Sequence, residues 1–226
     1  MMLLLAIDTS GRNGSLALAR GGEEKVEVVE AVALAGGTFS AQLIPQIAAL
    51  LAKNGFTKSD LAAFAVVPGP GSFTGLRVGL AAIKALAEIL QKPIAAVSLL
   101  EAVASSSRSE GRVLAALDAG RGDVYVGDYE LAGELPRRHS EHLLTRDEFL
   151  TEVRGNGTRV VTADGTLADV LRVAGVACEL IAYPGCEVVA RLGWQHIQRG
   201  RTVRPEDLEA NYIRRSDAEI FSQPRR

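Results

Sequence analysis

Leu61-Ala62-Ala63-Phe64-Ala65-Val66-Val67, then Pro68-Gly69-Pro70-Gly71-Ser72-Phe73-Thr74-Gly75, then Leu76-Arg77-Val78-Gly79-Leu80 running on to Gln91, is the stretch whose reading decides the fold. The first segment is a short apolar run bounded by a turn, the pattern of a buried strand. The second is rich in proline and glycine and reads as a turn. The third is helical from about Leu76 to Gln91. Lys92-Pro93 closes it, because proline lacks the N–H that the next turn needs and biases its predecessor away from helix. A strand feeding a glycine turn at a helix N-terminus can hold an anion or let two backbones pack closely.

Leu76, Leu80, Ile83, Ala87 and Leu90 form one apolar stripe on this helix, yet Ala81, Ala82, Ala85 and Ile89 are apolar too. Arg77, Lys84 and Glu88 share one narrow edge, where Lys84 is expected to snorkel. A helix apolar nearly all round is covered nearly all round. One side packs on its own sheet; the other calls for a neighbouring helix or a second chain.

Outward from this centre the same grammar recurs. Leu3–Asp8 reads as a buried strand, Ser15–Arg20 and Lys25–Leu34 as two more joined by tight turns, and Thr38–Lys53 as a helix with Pro45 in or near its first turn. Thr38 or Ser40 can cap that helix, and Asn54-Gly55 stops it. Ile94–Val97 is a strand and Leu99–Ser107 a short helix. Serine-rich Ser105–Gly111 marks the boundary between an amino-terminal lobe, 1–107, and a carboxy-terminal lobe, 108–226. Beyond it Val113–Ala119, Asp123–Leu131 and Arg137–Leu143 read as strands. Thr145–Val153 is a helix with capping-box spacing, followed by strand Arg159–Ala163, helix Thr166–Ala174, strand Ala177–Ile181 and helix Cys186–Arg199. The tail, about 205–226, is weakly helical or extended and is expected to pack back on the first lobe. Each half opens with a strand ending in Asp, which argues for an α/β fold of two related lobes.

The chain has 226 residues, is 47% hydrophobic and carries a net charge of −2. A substantial core follows without disulfides. Near-neutral charge gives no basic footprint for nucleic acid. Arg199, Arg201, Arg204, Arg214, Arg215, Arg225 and Arg226 nevertheless gather toward the end, as a solvated tail or an RNA contact. Cys178 and Cys186 have neither zinc-site nor disulfide spacing and read as reduced thiols. Met1–Ile7 is too short for a signal peptide and no run approaches a membrane span, so a cytoplasmic protein is expected.

The glycine turn fails the P-loop spacing, and Thr74 stands where a dinucleotide fingerprint needs its last glycine. Close packing and phosphate contact both remain open for it. Asp8, Thr9 and Ser10, with Asp118 in the second half, could hold Mg²⁺ or phosphate, or could cap turns. His139 and His142 could share a metal only on a helix, and their segment reads as strand. No nucleophile elbow is present.

Ala6-Ile7-Asp8-Thr9-Ser10, Gly69-Pro70-Gly71-Ser72-Phe73-Thr74-Gly75-Leu76-Arg77-Val78-Gly79 and Leu117-Asp118-Ala119 with Asp123-Val124-Tyr125 resemble, in order and spacing, the TsaB (YeaZ) family. The likeness covers most of the first ~130 residues. Near the end Asn211-Tyr212-Ile213-Arg214 departs from that family's Pro-x-Tyr-Leu-Arg element. The resemblance implies a two-lobed actin-like ATPase (ASKHA, ribonuclease H-like) fold with a duplicated βββαβα core. It implies a non-catalytic subunit that dimerises with TsaD, which transfers a threonylcarbamoyl group to N6 of adenosine 37 in tRNAs reading ANN codons. TsaE would join through that pair, tRNA would be met indirectly, and a homodimer would form without TsaD. TsaD-like chains carry a His-x-x-x-His metal pair where Leu99 and Val103 stand here, and an acid where Arg12 stands, so no catalytic residue and no metal ligand is expected. The two long helices are implied to form a four-helix arrangement with the partner, with Leu43, Ile47, Leu76, Leu80, Ile83 and Ala87 as contacts. Asp8, Thr9, Ser10, Gly69, Gly71 and Asp118 are the candidate nucleotide or phosphate contacts. The subunit itself is expected to need no cofactor, with ATP or ADP and Mg as groups of the assembly. The competing expectations are an independent actin-like ATPase or kinase and a peptidase-like hydrolase.

Overall fold

The computed structural model describes residues 1–23 and 25–213. One order of elements occurs twice. The first half runs β1 (Met2–Asp8), β2 (Gly14–Gly21), β3 (Val26–Leu34), α1 (Phe39–Lys53), β4 (Leu61–Val66), α2 (Phe73–Leu90), β5 (Ile94–Ala96) and α3 (Leu99–Ser105). The second runs β6 (Gly111–Gly120), β7 (Asp123–Leu131), β8 (Arg137–Thr145), α4 (Arg146–Asn156), β9 (Arg159–Thr162), α5 (Gly165–Val173), β10 (Cys178–Leu180) and α6 (Cys186–Gln198). The sheets are ordered β3-β2-β1-β4-β5 and β8-β7-β6-β9-β10. In each, the first strand is central, paired antiparallel to the hairpin strand on one side and parallel to the later strand on the other. This is the two-lobed actin-like, ribonuclease H-like α/β class. The repeat is one strand and one helix longer than the expected βββαβα.

Side-chain size sorts the faces of the first sheet. Leu3, Leu5, Ile7, Leu16, Leu18, Phe64 and Val66 point to one core, under α1 and α2. Ala6, Ala17, Ala19, Ala63, Ala65 and Ala95 point to the other. Successive strand residues face opposite sides, so alternation along β1 feeds both layers. The alanine face lets α6 come close: a Cβ on Gly193 would stand 2.4 Å from that of Ala65. On the second sheet, Leu114, Ala116, Val124, Val126 and Val160 pack with Phe149 of α4 and Leu167 and Leu171 of α5.

The two inner helices are exchanged. α6, the last helix of the second half, packs on β1 to β5, whereas α3, the last helix of the first half, packs on β6, β7 and β9. The chain passes to the second sheet between β5 and α3, ahead of the serine-rich segment, and α6 returns to the first. Residues 203–213 follow it: Val203 N donates to Ile94 O at 2.9 Å, Asn211 N donates to Pro68 O at 2.8 Å, and Leu208 is buried under α2. This strap is turns and extended chain. The expectation for the rest of the tail, including Arg214, Arg215, Arg225 and Arg226, lies outside the described residues.

Several boundaries move for local reasons. α2 starts at Phe73 rather than Leu76, because Ser72 is the N-cap and its Oγ accepts from Gly75 N at 3.3 Å. Thr38 is the N-cap of α1 but makes no capping bond; its hydroxyl instead accepts from Gln42 Nε2. Pro45 lies inside that helix, on its exposed side, beyond the first turn. The capping box at Thr145 forms as its spacing predicts.

Candidate functional site

The ends of β1 and β6 face a cleft of about 720 Å³ between the two halves. Asp8 sits behind its wall, fully buried. Ser10 donates to Asp8 Oδ1 twice, from its backbone N at 2.8 Å and its hydroxyl at 2.5 Å. Burial pushes the Asp8 carboxyl up from its ordinary range, and the two Ser10 bonds pull it down less. The geometry is that of a side chain closing its own turn. Thr9 is buried as well and donates Oγ1 to Gly75 O at 2.7 Å.

The motif glycines meet this strand end directly. A Cβ would stand 2.4 Å from Ser10 O at Gly71, 2.1 Å from Thr9 O at Gly75 and 2.3 Å from Thr9 Oγ1 at Gly79. Their missing side chains seat the first turns of α2 on the tip of β1. Gly69 has φ of +139°, and a Cβ there would stand 2.7 Å from Asn211 O in the strap. Of the six candidate nucleotide contacts, Ser10, Gly71 and Asp118 line the cleft, Asp8 and Thr9 lie behind it, and Gly69 faces the strap.

A nucleotide polyphosphate fits this lining poorly. Arg12 is the cation among the lining residues, against the carboxylates Asp118 and Asp164. Each carboxylate already accepts a backbone N–H, from Gly120 at 3.2 Å and from Leu167 at 3.0 Å. Among the described residues no cluster of three His, Cys, Asp or Glu side chains could hold a metal ion. His139 and His142 lie on strand β8, not on a helix. His196 is buried and pairs with Glu101 at 2.8 Å. Cys186 donates to Ser15 O, and burial pushes its thiol well up.

The outer surface of α1 and α2 is the second candidate. Leu43, Ile47, Leu80, Ile83 and Ala87, expected as partner contacts, turn inward into the core of the first sheet, and Leu76, expected with them, is buried too. Large side chains take the sheet side because more apolar area leaves water there. Left outside are Ile44, 53% exposed, Ile89, 71% exposed, and Phe73, 41% exposed, together with Ala81 and Ala85.

The family model of TsaD, tRNA N6-adenosine threonylcarbamoyltransferase, matches residues 33–146, just over half of the chain. TsaB of Bacillus subtilis is 38% identical over 130 residues, a match spanning 57% of this chain and 56% of that protein. TsaB of Escherichia coli is 29% identical over 227 residues and 96% of each chain.

The chain belongs to the TsaB (YeaZ) family.

The solved structure of YeaZ from Pseudomonas aeruginosa agrees, with a TM-score of 0.76 at 27% identity over 94% of this chain and all of that one. This TsaB-family chain also uses cleft residues that sequence reasoning passed over. Tyr183 reaches Ser10 Oγ at 3.3 Å from the loop after β10, where Pro184-Gly185 is the only sequence signal. Asp164 caps α5. Its place after β9 signals a cap in the sequence, and the fold also sets it in the cleft wall. Among the described residues of this TsaB-family chain, no helix is long and apolar enough to cross a membrane.

Proposed function

We propose that this chain serves tRNA threonylcarbamoyladenosine biosynthesis, the process its TsaB relatives are named for, as a non-catalytic subunit that pairs with a TsaD-type transferase. The observation that carries this reading is the apolar outer surface of adjacent helices α1 and α2, with Ile44 and Ile89 exposed on it beside Ala81 and Ala85. Two like helices of a partner would bury that face and complete a four-helix arrangement. Leu99 and Val103 pack in the core at positions where TsaD-like chains carry paired histidines, and such side chains cannot ligate a metal. In this reading the partner moves the threonylcarbamoyl group to N6 of adenosine 37 in tRNAs that read ANN codons. TsaE joins through the pair, tRNA is met through the partner, and the same face forms a homodimer when the partner is missing.

Size-exclusion chromatography with light scattering, on this chain alone and mixed with the transferase of its own organism, tests the pairing. The wild type is expected to form a heterodimer. Ile89→Glu places a charge in the seam at a cost of several kcal/mol and is expected to abolish it while melting like the wild type. A wild type that stays unpaired at micromolar concentration overturns the pairing, and a full-strength complex from Ile89→Glu overturns its placement on this face.

A further inference from the structure

A second cleft, of about 770 Å³, opens where the strap runs between α3 and the start of β8, and it shares no lining residue with the first. We propose that it is a binding site for a phosphate group. Three arginines line it, Arg137 and Arg138 from β8 and Arg201 from the chain just before the strap, with Thr202 beside them. They come from segments far apart in sequence, and the fold gathers them in a chain whose net charge is −2.

Several other surface arginines are already paired. Arg112, Arg172, Arg199 and Arg204 each hold a carboxylate at 3.1 Å or less. Arg137 and Arg201 have no such partner among the described residues. Arg138 stands 3.6 Å from Glu141 Oε2, beyond hydrogen-bond reach. That carboxylate is already satisfied by Ser98 Oγ, by Tyr129 OH and by Asn211 Nδ2. Glu101, the carboxylate in the lining, is taken up by His196. The cleft therefore offers cationic, fork-shaped donors, two of them with no carboxylate partner among the described residues, which is the chemistry that recognises phosphate oxygens. Among the described basic residues near the chain end, Arg199 and Arg204 are spent on surface pairs, and Arg201 lines this cleft.

The phosphate could belong to an RNA backbone or to a small phosphorylated molecule, and the site stands independently of the pairing proposed above. Isothermal titration of the full chain with inorganic pyrophosphate at low salt is expected to show binding. Arg137→Ala combined with Arg201→Ala is expected to weaken it about tenfold or more, since each charged hydrogen bond lost is worth over 1 kcal/mol. Both residues are exposed, so the variant's thermal melt is expected to match the wild type. Arg12→Ala, in the first cleft, is expected to leave binding unchanged. Displacement of pyrophosphate by tRNA assigns the site to an RNA backbone, and pyrophosphate binding that tRNA does not disturb assigns it to a small ligand; either supports it. Undiminished binding by the double variant, loss of binding in Arg12→Ala, or no binding of either probe to the wild type overturns it.

Discussion

The ring of Tyr212 stacks on that of Phe73, with centroids 5.1 Å apart and planes inclined by 30°. Arg77 lies 3.7 Å over the Phe73 ring and donates Nε to Tyr212 OH at 3.1 Å. The end of the strap is thereby tied to the first turns of α2. Tyr212→Ala is expected to cost about 0.5–1.5 kcal/mol, the worth of an aromatic pair beyond its buried area. Amide hydrogen exchange across residues 203–213 should quicken while that of β1 stays slow. Exchange in the strap that matches the wild type would sink the idea that this pair fastens it.

Thr9 and Gly79 form a lock that only glycine permits. Gly79→Ala would press a methyl group against Thr9 Oγ1, a position 2.3 Å away. Overpacking of this kind costs about 1–3 kcal/mol. Thr9→Ala loses the bond to Gly75 O but vacates the clashing atom. Combined with Gly79→Ala it should cost less than the two changes summed, by about 0.5 kcal/mol or more, the usual size of coupling between neighbours. Urea midpoints of the four proteins measure this, and strict additivity would refute the lock.

Leu80 and Ile89 are both apolar residues of α2, yet they face opposite surroundings. Leu80 is 5% exposed and Ile89 71%. Leu80→Glu is expected to lose several kcal/mol, because it buries an unpaired charge. Ile89→Glu should stay within about 0.5 kcal/mol of the wild type, as exposed substitutions do. Circular-dichroism melts of the two variants separate these outcomes.

Asp8 and Asp128 should carry opposite pH dependences. Burial raises the Asp8 carboxyl above its ordinary 3.8, so the folded state holds that proton more tightly than the unfolded chain. The stability this gives is complete below the unfolded value and is lost as pH rises through the folded one. Asp8→Asn keeps an oxygen for Ser10 without the charge. It should therefore be more stable than the wild type near neutral pH, with the gap closing below about pH 4. Asp128 is held below its ordinary value by hydrogen bonds from Arg112 at 2.9 and 2.6 Å. Its contribution is present above the unfolded value and disappears as pH falls through the folded one, so Asp128→Asn should be less stable only in the neutral range. Denaturation at paired pH values checks both signs.

Much of this architecture was legible in the chain. Apolar runs, turn residues and caps gave the order of strands and helices, and Asp8 and Asp118 marked equivalent strand ends in the two halves. The direction of Leu80 was not legible, because α2 is apolar on two sides and its stripe fits an inward or outward setting equally well. Packing on the sheet decided it, with Leu80, Ile83 and Ala87 going inward and Ala81, Ala85 and Ile89 to the surface. The glycines at Gly71, Gly75 and Gly79 were compatible with a phosphate cradle until their distances to Thr9 and Ser10 showed what fills the space. Nor could spacing reveal that Arg137 and Arg201 share a cleft, since a cluster assembled by tertiary folding leaves no periodic trace.

The exchange of α3 and α6 has a consequence for synthesis. A ribosome delivers β1 to β5 early, but the alanine face of that sheet remains open to water until Cys186–Gln198 has emerged. Folding as separate domains, amino-terminal first, is the usual order during translation. Here the nascent first sheet must wait for the last helix of the described chain. Ribosome-stalled chains ending near residue 180 should remain protease-sensitive throughout, and those extended past the strap should become resistant in a single step.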